Sequence, residues 1–157
     1  ALALAKELPQ AQITATDISP EALEVAQANA ARHQLEKRIR FVEADLLKKK
    51  DVASYVSIEV DLVVSNPPYV SEEERDKVQR EVRKFEPKVA VFGGPHGLDV
   101  YRRLIPQAKD VLKAGGWLVM EMSAATADAV RALLAEWSEA RMVADLQGIP
   151  RVAVGRK

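Results

Sequence analysis

Asp61-Leu62-Val63-Val64-Ser65-Asn66-Pro67-Pro68-Tyr69 decides how this chain is read. Leu62, Val63 and Val64 form a short apolar run, of the kind found in a strand covered on both faces. Pro67 and Pro68 have no N–H, so neither sheet nor helix continues through them. Each proline biases the residue before it towards extended backbone, and Asn66 therefore leaves the strand extended. The product is a stiff loop at the carboxyl end of a strand, where open α/β sheets place their ligands.

The loop has a chemical use. The carbonyls of Asn66 and Pro67 and the Asn66 side-chain oxygen are neutral acceptors. Together they can receive both hydrogens of a planar –NH2 group, and Tyr69 adds a flat face for a planar amide or base. Such a nitrogen is a poor nucleophile, so holding it in line with an activated methyl group supplies catalysis by positioning, without a strong base. The plainer alternative is a rigid turn, since Asn and Pro are common turn residues. The placement directly after a buried strand favours a functional loop.

Upstream, residues 1–8 read as the end of a helix stopped at Pro9. Ile13-Thr14-Ala15-Thr16 reads as a strand ending at Asp17. Ser19-Pro20-Glu21 is a helix start, with Ser as N-cap and Pro at the first helical position, and the helix runs to about residue 34. An acid at such a strand end can accept from both hydroxyls of a ribose; the alternative is an Asp that only caps the following turn. Residues 38–43 alternate as a further strand, and residues 47–58 are a polar excursion before the strand at 60–65.

Downstream, residues 71–84 read as a solvated helix, with Glu73–Lys77 and Asp76–Arg80 as i,i+4 pairs. A mobile lid is the alternative. Gly93-Gly94-Pro95-His96-Gly97 is a turn cluster without phosphate-loop spacing, and His96 reads as an exposed turn residue. An amphipathic helix over 98–113 should kink at Pro106 and end at Gly115-Gly116. A buried strand over 117–122, a helix over 126–136 and an antiparallel pair at 141–146 and 151–156 complete the chain. Strands alternating with helices give a Rossmann-like α/β sheet with a C-terminal antiparallel strand pair.

A chain of 157 residues with 48% apolar and 29% charged content suits one folded domain with a real core. The formal net charge of zero argues against a large nucleic-acid footprint. With no cysteine there is neither a disulfide nor a Cys metal site, and the two histidines lack neighbours at metal-ligand spacing. No metal is expected, and no apolar run approaches a membrane span.

Asn66-Pro67-Pro68-Tyr69 resembles the signature of methyltransferases that modify planar amino groups with S-adenosylmethionine. With Phe85-Glu86-Pro87 and Gly93-Gly94-Pro95-His96-Gly97-Leu98, the chain resembles the HemK-type protein-glutamine methyltransferases along essentially its whole length. Members of that family methylate the glutamine amide in the Gly-Gly-Gln motif of peptide release factors. The resemblance implies a class I S-adenosylmethionine-dependent fold and a cytoplasmic enzyme with a release factor as partner. Asn66, Pro67 and Tyr69 are then catalytic, and Asn66, Pro67, Pro68 and Tyr69 hold the substrate. Asp17, Ile18, Asp45, Leu46 and Asn66 hold the cofactor. In that reading Asp17 takes the ribose, Asp45 accepts from the adenine amine, and the Leu46 N–H donates to a ring nitrogen; by itself Ala-Asp-Leu is a weak motif.

Residues 1–157 are accordingly expected to be one catalytic domain, incomplete at its N-terminus. The family's first strand and its glycine-rich loop would precede Ala1, where residues 1–5 resemble the helix after that loop. Without that strand its two neighbours would have unpaired edges, leading to re-paired or swapped strands, and the chain alone is expected to be inactive. Three other readings stay open: methylation of an adenine or guanine amine in DNA or RNA, methylation of a ribosomal-protein glutamine, and a non-catalytic scaffold.

Overall fold

The computed structural model describes residues 1–49 and 59–157. Most of the polar excursion expected over 47–58 lies outside the described residues. The chain divides into two compact units, residues 1–58 and 59–157.

In the first unit the order is α1 (Leu2–Glu7), β1 (Ile13–Asp17), α2 (Pro20–Arg32), β2 (Ile39–Asp45) and β3 (Lys48–Lys49). The start of α2 follows the capping chemistry in the sequence. Ser19 Oγ accepts from the Ala22 N–H at 3.1 Å, and Pro20 takes the first helical position, where its missing N–H costs nothing. Strands β1 and β2 pair in parallel with Ile13 opposite Ile39 and Asp17 opposite Glu43; β3 returns antiparallel, with Asp45 opposite Lys48. A small core of Ala5, Ala30 and Ile39, flanked by Leu2, Ile13, Ala15, Leu35 and Phe41, holds α1 and α2 to these strands.

In the second unit β4 (Val60–Ser65) leads through short helices α3 (Arg80–Phe85) and α4 (Lys88–Val91) to α5 (Asp99–Val111) and β5 (Leu112–Glu121). Helix α6 (Ala127–Leu133) and strands β6 (Ser138–Ala144) and β7 (Pro150–Arg156) follow. The sheet order is β4-β5-β7-β6: β4 and β5 are parallel, and β7 runs antiparallel to both neighbours, as expected for the final pair. The apolar stripe of α5 explains its place. Tyr101, Leu104, Ile105, Ala108 and Val111 are all buried, and with Leu118, Met120, Val130, Leu134 and Ala153 they form the main core.

Several local expectations change. Helix α5 is continuous through Pro106 and ends at Val111, and Gly115-Gly116 lie inside β5, whose register against β4 shifts between Val60 and Leu62. A bulge, rather than a helix stop, is what those glycines serve. Residues 71–84 are not one helix. A 3₁₀ turn over Glu72–Lys77 is separated from α3 by Val78 in extended backbone, and Asp76 pairs with Arg83 at 3.1 Å instead of Arg80. Too few apolar side chains fall on one face there to hold a continuous helix against a core. Helix α6 stops at Leu133, three residues early.

Strand β4 is covered on one face only: Val63 is buried, while Leu62 is 40% and Val64 53% exposed. Strands β1 and β4 each stand at an edge of their sheet. Among the described residues no helix is long and apolar enough to cross a membrane.

Candidate active site

The loop after β4 is fixed by backbone contacts from one segment. The Val70 N–H donates to the Val91 carbonyl at 3.1 Å, and the Gly93 N–H donates to the Val70 carbonyl at 2.9 Å, which makes a one-residue parallel bridge. Ser71 Oγ donates to the Pro95 carbonyl at 2.6 Å and accepts from the Glu73 N–H at 3.1 Å; the Glu72 N–H donates to Gly94 at 3.2 Å. The turn cluster is therefore a buttress. A Cβ on Gly93 would stand 2.6 Å from the Pro68 carbonyl oxygen, and one on Gly97 would run into the Tyr69 carbonyl. Pro67 is buried, whereas Asn66 is exposed beyond the last strand residue. Asn66, Pro67, Pro68 and Tyr69 are thus brought together on a loop with an exposed amide and a rigid back.

Tyr69 is tied at its other end. Its hydroxyl donates to Glu121 Oε1 at 2.9 Å, and the wholly buried Tyr101 donates its hydroxyl to the Glu121 carbonyl at 2.9 Å. Burial, then the bond to Glu121, pushes the Tyr69 phenol above its ordinary pKa, although Arg151 acts in the opposite sense. Burial, aided by Tyr69 and Glu121, raises Tyr101 further.

A raised folded pKa means the native state holds these protons more tightly than the unfolded chain. The resulting stability is complete below the ordinary tyrosine value of about 10 and is lost as pH rises towards the native values. Tyr101→Phe is expected to cost about 1 kcal/mol at neutral pH and to lessen the alkaline loss. Denaturant midpoints measured at about pH 7 to 11 check this; an unchanged alkaline slope would clear Tyr101 of that role.

In the first unit the other candidates share one sheet end. Asp17 closes β1 and Asp45 closes the neighbouring parallel strand β2. Asp17 is exposed, and its Oδ1 accepts from the Ser19 N–H at 2.9 Å, so it caps the turn. Ile18 beside it is 45% exposed. Leu46 sits at φ 58, in the left-handed region that a bulky side chain rarely enters. Such strain costs about 1–3 kcal/mol and collects at functional sites. An open hollow along residues 11–14 and 37–40 lies at the opposite, amino end of β1 and β2.

Sequence reasoning missed Glu121 and the buttress. Glu121 was signalled by a carboxylate ending the apolar strand Trp117-Leu118-Val119-Met120, the same placement as Asp17 and Asp45. The buttress was signalled by glycines too closely spaced for a simple turn.

These parallel strands with an antiparallel final pair form the Rossmann-like fold of class I methyltransferases, and the profile of a methyltransferase domain matches residues 1–149. The chain belongs to the methyltransferase-domain family. It is 52% identical over 157 residues to the release factor glutamine methyltransferase of Koribacter versatilis, covering 100% of this chain and 54% of that protein. To the release factor glutamine methyltransferase of Chlorobaculum tepidum it is 41% identical over 152 residues, covering 96% of this chain and 51% of that one. The chain spans about half the length of these curated relatives. Among solved structures, TrmN from Thermus thermophilus superposes with a TM-score of 0.67 at 22% identity, covering 99% of this chain and 40% of that chain. A ribosomal protein L11 methylase from Lactobacillus delbrueckii subsp. bulgaricus gives 0.60 at 23% identity, covering 99% and 64%. At such identities these two speak for the fold alone.

Proposed function

We propose that the intact protein carrying this chain transfers a methyl group from S-adenosylmethionine to the side-chain amide nitrogen of the glutamine in the Gly-Gly-Gln motif of peptide release factors, in the cytoplasm. The observation that carries this is the braced Asn66-Pro67-Pro68-Tyr69 loop at the end of β4, in a chain 52% identical to a release factor glutamine methyltransferase. When bound, S-adenosylmethionine supplies an electrophilic methyl carbon on a cationic sulfur. Asn66 Oδ1 and the Pro67 carbonyl would accept the two amide hydrogens, fixing the plane of the –NH2 group and drawing density onto its nitrogen. Tyr69 would pack against that plane. Because these acceptors are preset, little reorganisation would be needed as the nitrogen–carbon bond forms, the carbon–sulfur bond breaks to leave a neutral thioether, and the nitrogen gives up one proton.

The residues of the first unit fit the cofactor. An exposed carboxylate ending β1 suits a ribose diol, and Asp45 with the strained Leu46 suits an adenine edge. Asp17→Ala is expected to weaken S-adenosylmethionine binding about 10–100-fold, as for a lost charge-assisted hydrogen bond. Asp17→Asn, which can still accept from Ser19, separates the two roles of this side chain. Calorimetry on both variants decides: an unchanged Kd in each would remove the ribose assignment.

The function itself is tested by incubating the intact protein with S-adenosylmethionine and a release factor, then locating added methyl by peptide mass. Methyl on the Gly-Gly-Gln glutamine supports the reading. Methyl only on a ribosomal protein, or on a DNA or RNA base offered in parallel, would replace it.

A further inference from the structure

Glu121 occupies a place that the proposed chemistry has not yet used. Ser65 pairs with Met120 across β4 and β5, so Asn66, the first residue beyond β4, and Glu121, the last residue of β5, follow at the same level. The backbone of Glu121 is doubly held: it pairs with Val152 of β7, and its carbonyl accepts from the buried Tyr101 hydroxyl. Its carboxylate, half-buried, accepts from Tyr69 at 2.9 Å. The main chain of the loop is braced at Val70 and Ser71, which by itself leaves the Tyr69 ring free about its own side-chain torsions. The Glu121 bond removes that freedom.

We infer that Glu121 is a positioning residue, which fixes the Tyr69 ring against the acceptor amide from the rigid end of β5. This rests on the proposed methyl transfer to glutamine. A group that acts only through Tyr69 must lose its effect once the Tyr69 hydroxyl is gone, and any side chain that keeps an acceptor oxygen at that reach must restore it.

The test uses the intact protein with S-adenosylmethionine and a release factor. Glu121→Leu is expected to lower kcat about 10–100-fold, with cofactor affinity within about threefold. Glu121→Gln should return kcat to within about threefold of the parent. In a Tyr69→Phe background, Glu121→Leu should cost no more than about twofold, since the two changes remove one bond. Independent, multiplying losses in the double variant, or Gln as poor as Leu, would overturn the assignment. Ring-proton NMR at position 69 provides a readout that needs no acceptor. Faster ring averaging in both Glu121→Leu and Tyr69→Phe supports the tie, and unchanged averaging in both overturns it. If the parent protein leaves the release factor unmethylated, the substrate reading fails while this ring result still decides the role of Glu121.

Discussion

Asn66→Ala in the intact protein is expected to lower kcat by about 10²–10³-fold, the range seen when one preorganised polar group of an active site is removed. S-adenosylmethionine affinity is expected to stay within about threefold. The asymmetry follows from where Asn66 sits. It lies beyond Ser65, the last residue of β4, and its side chain is exposed, so truncation leaves the core untouched. Stability should change by about 0.5 kcal/mol or less. What is lost is the acceptor that sets the plane of the substrate amide, a contact that matters only when the nitrogen must lie in line with the methyl carbon. Asn66 was also assigned to the cofactor, and the same experiment weighs that assignment. Steady-state kinetics together with calorimetry give the split. Comparable losses in kcat and in cofactor affinity would move Asn66 from the acceptor to the cofactor.

The sequence made this loop legible because its information is local. Two prolines forbid regular structure wherever they occur, and a Ser-Pro-Glu start specifies a helix by capping alone. The same locality made Asp17 and Asp45 visible, since each closes a strand of its own. What stayed hidden depends on partners far along the chain. Glu121 meets Tyr69 across 52 positions, and Gly97 meets Tyr69 through a turn that by composition is only flexible. Register errors have the same origin. Gly115-Gly116 reads as a helix stop until β4 lies beside it and makes the glycines part of a bulge. The one-sided burial of β4 was equally out of reach, because an apolar run reports hydrophobicity and not which neighbours cover it.

Gly97→Ala tests whether that turn braces the loop. Gly97 has φ 69, a left-handed conformation that costs an L-residue about 1–2 kcal/mol. The new methyl would also run into the Tyr69 carbonyl and press on the Ser71 backbone nitrogen, which are main-chain atoms and cannot swing away. A loss of about 2–4 kcal/mol is expected from strain and overpacking together. Gly148→Ala is the matched control: its φ is 79, yet nothing stands within 4 Å of the added Cβ. That variant should lose only the backbone part, about 1–2 kcal/mol, and keep its methyl-transfer rate. Gly97→Ala, assayed at a temperature where both variants remain folded, should lose at least about tenfold in kcat because the displaced carbonyl belongs to Tyr69 itself. Thermal melts and turnover on the pair separate the two contributions. If Gly97→Ala matched Gly148→Ala in both stability and rate, the turn would be a bystander, and the placement of Tyr69 would have to come from Glu121 and the backbone bonds at Val70.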